Sequence, residues 1–276
     1  MQFINVGIEN SKNINLHYED HGTGKPVVLI HGWPLNGSSW EKQESVLLDA
    51  GYRVISYDRR GFGQSSQPST GYDYDTFADD LDKLMNTLNI QDAILVGFSM
   101  GTGEVTRYIS KYGSKRVDKA VLISSVPPYL LKTSDNPKGV DQSVFDGIMN
   151  GIKEDRLAFL TQFFSDFYNL DENEDKLISK QAVQYNWNVA SRASPIGTLA
   201  CVKAWLTDFR EDVKNIDVPT LIIHGDADRV LPIDSSGRRL HEAIKDNKYV
   251  EIKNGPHCII QTHTEQVNNA LMDFIS

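Results

Sequence analysis

The sequence predicts a doubly wound α/β fold: a mostly parallel eight-stranded sheet with helices on both faces and an inserted helical lid. Three observations predict it. Over the first 125 residues, short β-branched runs alternate with helix-period segments. Pro127-Pro128 ends that regime, and the sequence after it is helical and rich in aromatics. Strand–helix alternation resumes at Pro219. Such alternation builds a parallel sheet. Right-handed crossovers then bring the strand C-termini to one edge, where ligands bind.

The elements follow in order. Phe3 to Glu9 and Ile14 to Asp20 read as two antiparallel opening strands, and Val27-Val28-Leu29-Ile30 as a buried strand ending at His31-Gly32. Ser39 to Ala50 is helical, with Gly51 suited to the left-handed residue after a helix end. Arg53 to Tyr57 is the next strand, and Asp58 to Ser65 a glycine-containing loop. An amphipathic helix spans Asp75 to Leu88. Ala93 to Val96 and Val117 to Ser124 are strands flanking a helix over Glu104 to Tyr112. The inserted segment, residues 126–198, carries helical stretches at Val144–Met149, Arg156–Tyr168 and Asp175–Val189. The acidic run Asp171 to Asp175 reads as a solvated loop and helix start. Thr220 to His224 and Lys248 to Ile252 are strands, and Asp234 to Ile244 and Glu265 to Ile275 helices. The core is therefore expected in residues 1–125 and 199–276, interrupted by the lid.

Composition narrows the class. The chain has 276 residues, 40% apolar and 24% charged, which suits a globular protein able to bury a core without staples. Its net charge of −9 speaks against nucleic acid or anionic membrane as a partner. Cys201 and Cys258 form no disulfide framework and no zinc spacing. The N-terminus lacks a leader pattern and no apolar run reaches the ~18 residues of a membrane span, so a cytoplasmic protein is expected.

Chemistry concentrates at Gly97-Phe98-Ser99-Met100-Gly101. A serine between glycines, after a buried strand and before a helix, fits a nucleophile elbow: a turn so tight that its neighbours carry no bulky side chain. A hydroxyl needs an adjacent base. Of seven histidines, His257 lies in a Gly-Pro turn directly after the last strand, at the same sheet edge as Ser99. His31 and His224 end strands but precede glycine and read as packing groups, while His17, His241 and His263 read as surface residues. The imidazole needs a carboxylate to fix its tautomer. Asp226 and Asp228 both compete from the loop after the penultimate strand: Asp226 is placed to brace the turn, and Asp228 lies further out. The loop after Ser124 offers no carboxylate nearby, and Val230 stands where a calcium loop would need a ligand. The oxyanion donors would be the N–H groups of Met100 and of Trp33, the latter in His31-Gly32-Trp33-Pro34. Phe145, Phe159, Phe163, Phe164 and Trp205 suggest a compact apolar pocket, against a plainer reading as lid packing.

Taken together, His31-Gly32-Trp33-Pro34, Asp58 to Ser65, the Ser99 elbow, Val121 to Pro128, His224-Gly225-Asp226-Ala227-Asp228 and Gly255-Pro256-His257 resemble the cofactor-free bacterial haloperoxidases, with their perhydrolase and aryl-esterase relatives, of the α/β-hydrolase fold. The resemblance implies that Asp228 is the acid, that Trp33 and Met100 serve the oxyanion, and that neither metal, haem nor flavin is required. It implies an acyl-serine formed from a small acyl substrate and resolved by water or hydrogen peroxide. In the second case a peracid leaves and oxidises bromide or chloride. Pro34, beside the oxyanion donor and in the tentative pocket set with Phe145, Phe163 and Trp205, leans the reading toward perhydrolysis. A homo-oligomer is expected on the same ground. Thr102 departs from the usual Gly-Gly after the elbow and is expected to tighten packing beneath it. Rival readings are a carboxylesterase or lactamase with incidental perhydrolysis, and a non-catalytic small-ligand receptor. Haloalkane dehalogenase chemistry is excluded, since it needs aspartate at Ser99.

Overall fold

The computed structural model describes residues 2–276. Eight strands form one sheet in the order β1-β2-β4-β3-β5-β6-β7-β8. They are β1 (Gln2–Glu9), β2 (Lys12–His21), β3 (Pro26–Ile30), β4 (Arg53–Tyr57), β5 (Ala93–Phe98), β6 (Val117–Ile123), β7 (Thr220–Gly225) and β8 (Asn247–Ile252). β1 pairs antiparallel with β2, and β2 antiparallel with β4; every other pairing is parallel. Burial follows from position. Val27, Val28, Leu29 and Ile30 of β3 have no exposed surface, as expected of a central strand covered on both faces. The edge strand β1 alternates exposed and buried residues instead.

Six helices accompany the sheet: α1 (Glu41–Asp49), α2 (Tyr74–Thr87), α3 (Met100–Tyr112), then α9 (Gly237–Ala243), α10 (Ile259–Thr262) and α11 (Thr264–Ile275) late in the chain. α2 is capped by Asp73, whose carboxylate accepts from the Thr76 N–H at 2.9 Å, and it buries Tyr74, Phe77, Ala78, Leu81, Leu84 and Met85 on one helical stripe. Between β6 and β7 lie α4 (Gln142–Tyr168), α5 (Leu170–Asn173), α6 (Lys180–Ser191), α7 (Pro195–Ala204) and α8 (Arg210–Lys214). α7 runs straight through position 198, where the sequence reading ended the lid.

Several boundaries differ from expectation. The first helix begins as a 3-10 turn over Gly37–Trp40, because Asn36 caps Ser38 before the α-helix starts. The two stretches predicted before Asn169 form one element broken at Asp155, whose carboxylate accepts from the Leu157 and Ala158 N–H groups and restarts the helix. No helix starts at Asp175. That residue has φ 57°, and α6 begins only at Lys180 with Ser179 as its cap. The acidic run is held by cations: Asp171 and Glu172 pair with Arg229, and Asp175 with Lys180. His17, expected at the surface, is buried with Nδ1 3.4 Å from Asp58, since β2 is covered by the Asp58–Ser65 loop. Among the described residues no helix is long and apolar enough to cross a membrane.

Candidate active site

The site sits where the sheet order reverses, between the C-terminal ends of β3 and β5. Ser99 joins β5 to α3 with φ 53° and ψ −118°, a backbone conformation that L residues rarely adopt. Its neighbours explain how it is held. A Cβ on Gly97 would lie 2.6 Å from the Gly101 carbonyl oxygen, and one on Gly101 would strike the Ile30 carbonyl. Only glycine lets β5, β3 and the first turn of α3 approach this closely. Thr102 adds a clamp: its Oγ1 donates to the Ser99 carbonyl at 2.6 Å and accepts from the Val126 N–H at 3.0 Å. The threonine at this position therefore fastens the elbow to the loop after β6.

Three groups far apart in sequence meet here. Ser99 Oγ is 2.8 Å from His257 Nε2, and His257 Nδ1 is 2.7 Å from Asp228 Oδ2. Of the two aspartates that competed in sequence, Asp228 faces the imidazole. Asp226 accepts from the Asn254 N–H at 2.6 Å and braces the turn leading to His257. Asp228 Oδ1 accepts from the N–H groups of Val230 (2.9 Å) and Leu231 (2.7 Å). Burial opposes its charge, yet the His257 charge and the hydrogen bonds of His224 and His257 hold its carboxyl well below the usual range. The acid is thus a fixed anion beside the imidazole.

Trp33 and Met100, the expected oxyanion donors, both adjoin Ser99 through the backbone. Met100 is the first residue of α3, whose leading N–H groups have no acceptor within the helix. The Trp33 N–H has no acceptor among the described residues. A Cβ on Gly32 would lie 2.9 Å from Ser99 Cβ, so the backbone of this loop passes directly beside Ser99. Behind it, His31 is structural. Its Nε2 accepts from the Arg59 N–H at 2.9 Å, and burial and the Arg59 charge push its pKa well below the ordinary value.

Above Ser99 opens a cavity of ≈ 220 Å³ lined by Trp33, Val126, Phe145, Phe159, Phe163 and Trp205, with Gln162, Asp166 and Arg229 as its polar members. Phe163 and Trp205 both meet the Trp33 ring edge-on, with centroids 4.9 and 5.0 Å away. Two expected pocket residues lie elsewhere. Pro34 is buried beside Trp33, after a cis peptide bond, and is not a lining residue. Phe164 turns into the core and stacks on Tyr168. Cys258 is fully buried and burial pushes its thiol up, which fits packing and not nucleophilic chemistry.

Sequence reasoning missed the supports. The sequence marks His224 as a packing group, yet its Nε2 lies 3.1 Å from Asp228 Oδ2. The spacing of four between them was visible, but nothing in a strand-terminal His-Gly reveals which way the ring turns. Gln162 and Arg229 at the cavity were also unmarked, since isolated polar residues in helices and loops carry no signal of their own.

Comparison with known proteins agrees with this architecture. The family model for the alpha/beta hydrolase fold matches residues 25–264. A protein of Synechocystis, provisionally named a non-heme chloroperoxidase, is 62% identical, with 100% of both chains covered. A bifunctional esterase/perhydrolase of Acinetobacter calcoaceticus is 36% identical over 97% of this chain and 98% of its own. The crystal structure of a bromoperoxidase from Bacillus anthracis superposes with a TM-score of 0.96 at 50% identity, covering 99% of each chain.

Proposed function

The chain belongs to the α/β-hydrolase fold family, and on that premise we propose that it is a serine hydrolase/perhydrolase with cofactor-free haloperoxidase activity. The observation that carries the reading is the unbroken chain Ser99–His257–Asp228, with the serine hydroxyl opening on an apolar cavity.

The mechanism follows from the geometry. Ser99 Oγ attacks the carbonyl carbon of a small ester or carboxylic acid while His257 Nε2 takes its proton. Asp228 holds the ring with Nε2 toward the serine and stabilises the imidazolium. The N–H groups of Trp33 and Met100 receive the charge on the carbonyl oxygen, each worth about 2.7–4 kcal/mol in the transition state. The imidazolium returns its proton to the leaving alcohol or water, and an acyl-serine remains. Water attacking the acyl carbon releases the acid. Hydrogen peroxide attacking it releases a peracid, with the proton again carried by His257. The peracid then transfers one oxygen to bromide, giving hypobromous acid and the carboxylate. Residues 126–198 act as the cap over this chamber, with Phe145, Phe163 and Trp205 limiting the acyl group.

A plain esterase is the second reading, supported by likeness to an Exiguobacterium antarcticum esterase at 32% identity and a TM-score of 0.89. One experiment separates them. Hydrolysis of p-nitrophenyl acetate is compared with bromination of monochlorodimedone in acetate, peroxide and bromide, for the wild type and Ser99→Ala. Both activities are expected to fall about 10³-fold or more in the variant. Wild-type bromination no faster than that of the variant, beside intact ester hydrolysis, would leave the esterase alone; neither activity in the wild type would favour the receptor.

A further inference from the structure

We propose that His224 is a positioning residue of the catalytic site, locked in a single tautomer so that its ring pins the loop carrying Asp228. The inference rests on the Ser99–His257–Asp228 reading and extends it to the residues that hold the acid and base in place.

The hydrogen-bond pattern assigns the tautomer. The Ser125 N–H points at His224 Nδ1 at 3.3 Å, so that nitrogen is an acceptor and carries no proton. The proton is then on Nε2, which lies 2.9 Å from the Leu231 carbonyl and 3.1 Å from Asp228 Oδ2. The N–H is bonded to the Leu231 carbonyl and lies close to the Asp228 carboxylate, so one ring nitrogen faces both ends of the turn 228–231. The same turn closes from the other side, because the Leu231 N–H donates to Asp228 Oδ1. With His257 Nδ1 on Oδ2 and the Val230 and Leu231 N–H groups on Oδ1, three hydrogen bonds fix the carboxylate, and His224 Nε2 closes on Oδ2 at 3.1 Å. The ring itself has no exposed surface. It packs against Gly237, where a Cβ would lie 2.7 Å from Nδ1.

The clamp is anchored by the tripeptide after β6. Ser124, at φ 48°, donates through Oγ to the His257 carbonyl at 2.8 Å. Ser125 fixes the His224 tautomer, and the Val126 N–H reaches Thr102 Oγ1, which holds the Ser99 carbonyl. Three consecutive residues thus touch the support of the base, of the acid and of the nucleophile. His224 stands one step from the reacting chain: it borders Asp228 and has no hydrogen bond to Ser99.

The test uses the full chain with p-nitrophenyl acetate. His224→Phe keeps the ring and removes the donor; His224→Gln keeps an N–H near the Nε2 position. The phenylalanine variant is expected to lose kcat roughly 10- to 100-fold with KM little changed, the range that loss of one hydrogen bond to a charged group gives. The glutamine variant is expected to recover most of it. Equal kcat in the wild type and His224→Phe, or equal losses in both variants, would overturn the proposal. Ser99→Ala runs in parallel: activity surviving there defeats the triad itself, whereas a loss in Ser99→Ala with none in His224→Phe defeats only the clamp. Should His224→Phe fail to fold, nitrogen-15 spectra of the wild-type imidazoles decide. They are expected to show His224 protonated at Nε2 and bare at Nδ1, and the opposite tautomer overturns the assignment.

Discussion

At the scale of single residues, Asp228 links the stability of the fold to acid pH. Its carboxyl is held well below the ordinary value of about 3.9. A carboxylate whose folded pKa is depressed binds fewer protons folded than unfolded, so its stabilising contribution is complete above the unfolded value and is lost as pH falls toward the folded one. We therefore expect the difference in urea-unfolding stability between wild type and Asp228→Asn to be largest near pH 7 and to shrink on acidification below about pH 5. A difference that stayed constant to pH 4 would contradict this. Comparing the two proteins matters, because Asp58, Asp80 and Glu104 are raised by burial and shift the stability of both alike. The identity of the acid also marks how far residues were legible. Asp226 and Asp228 are two positions apart in one turn; spacing alone left both open, the family resemblance pointed to Asp228, and the backbone path brings Asp228 to the imidazole and Asp226 to Asn254.

At the scale of elements, α3 and the loop after β3 are tied by a buried ion pair. Glu104 of α3 accepts from Arg59 Nε at 2.8 Å and from the Tyr57 hydroxyl, and Arg59 Nη2 donates to the His31 carbonyl at 2.9 Å. Both side chains are essentially without exposed surface. Glu104→Gln would leave the Arg59 guanidinium as an uncompensated buried charge. A loss of about 3–5 kcal/mol in urea-unfolding stability is expected, and a change under 1 kcal/mol would mean that the pair is dispensable. Elements of the core were readable, give or take a few residues at their ends, because their causes are local: the apolar stripe of α2 repeats at helical spacing, and the apolar run of β3 fits a strand covered on both faces. The inserted segment was less readable. The break at Asp155 and the late start of α6 depend on carboxylates and hydroxyls that either cap a helix or remain in solvent, and short-range pattern does not decide between these.

At the scale of the whole molecule, the cavity is made by the sheet edge below, α4 above, and Trp205 just after α7. Phe163 stands between Trp33 and Phe167, and Phe167 in turn lies 5.2 Å from the His257 ring. The cavity and the His257 ring therefore share one aromatic wall. Truncating that wall at Phe163 should enlarge the chamber without touching the triad. For Phe163→Ala we expect kcat/KM for p-nitrophenyl hexanoate to rise relative to acetate by about tenfold or more, since each added methylene in an apolar pocket is worth roughly 1–3 kcal/mol. An unchanged ratio would place the acyl group elsewhere.

By itself the sequence determined the α/β alternation, the elbow at Ser99 and the order in which serine, acid and base occur along the chain, because glycine at a tight turn and apolar runs in strands are local demands of sterics and burial. Tertiary structure decided which aspartate serves His257, which aromatic rings face the cavity, and that His224, Ser124 and Thr102 converge behind the reacting groups. Those outcomes depend on side-chain directions set when strands 100 and more residues apart come to lie in adjacent register, and no local spacing encodes an angle between elements.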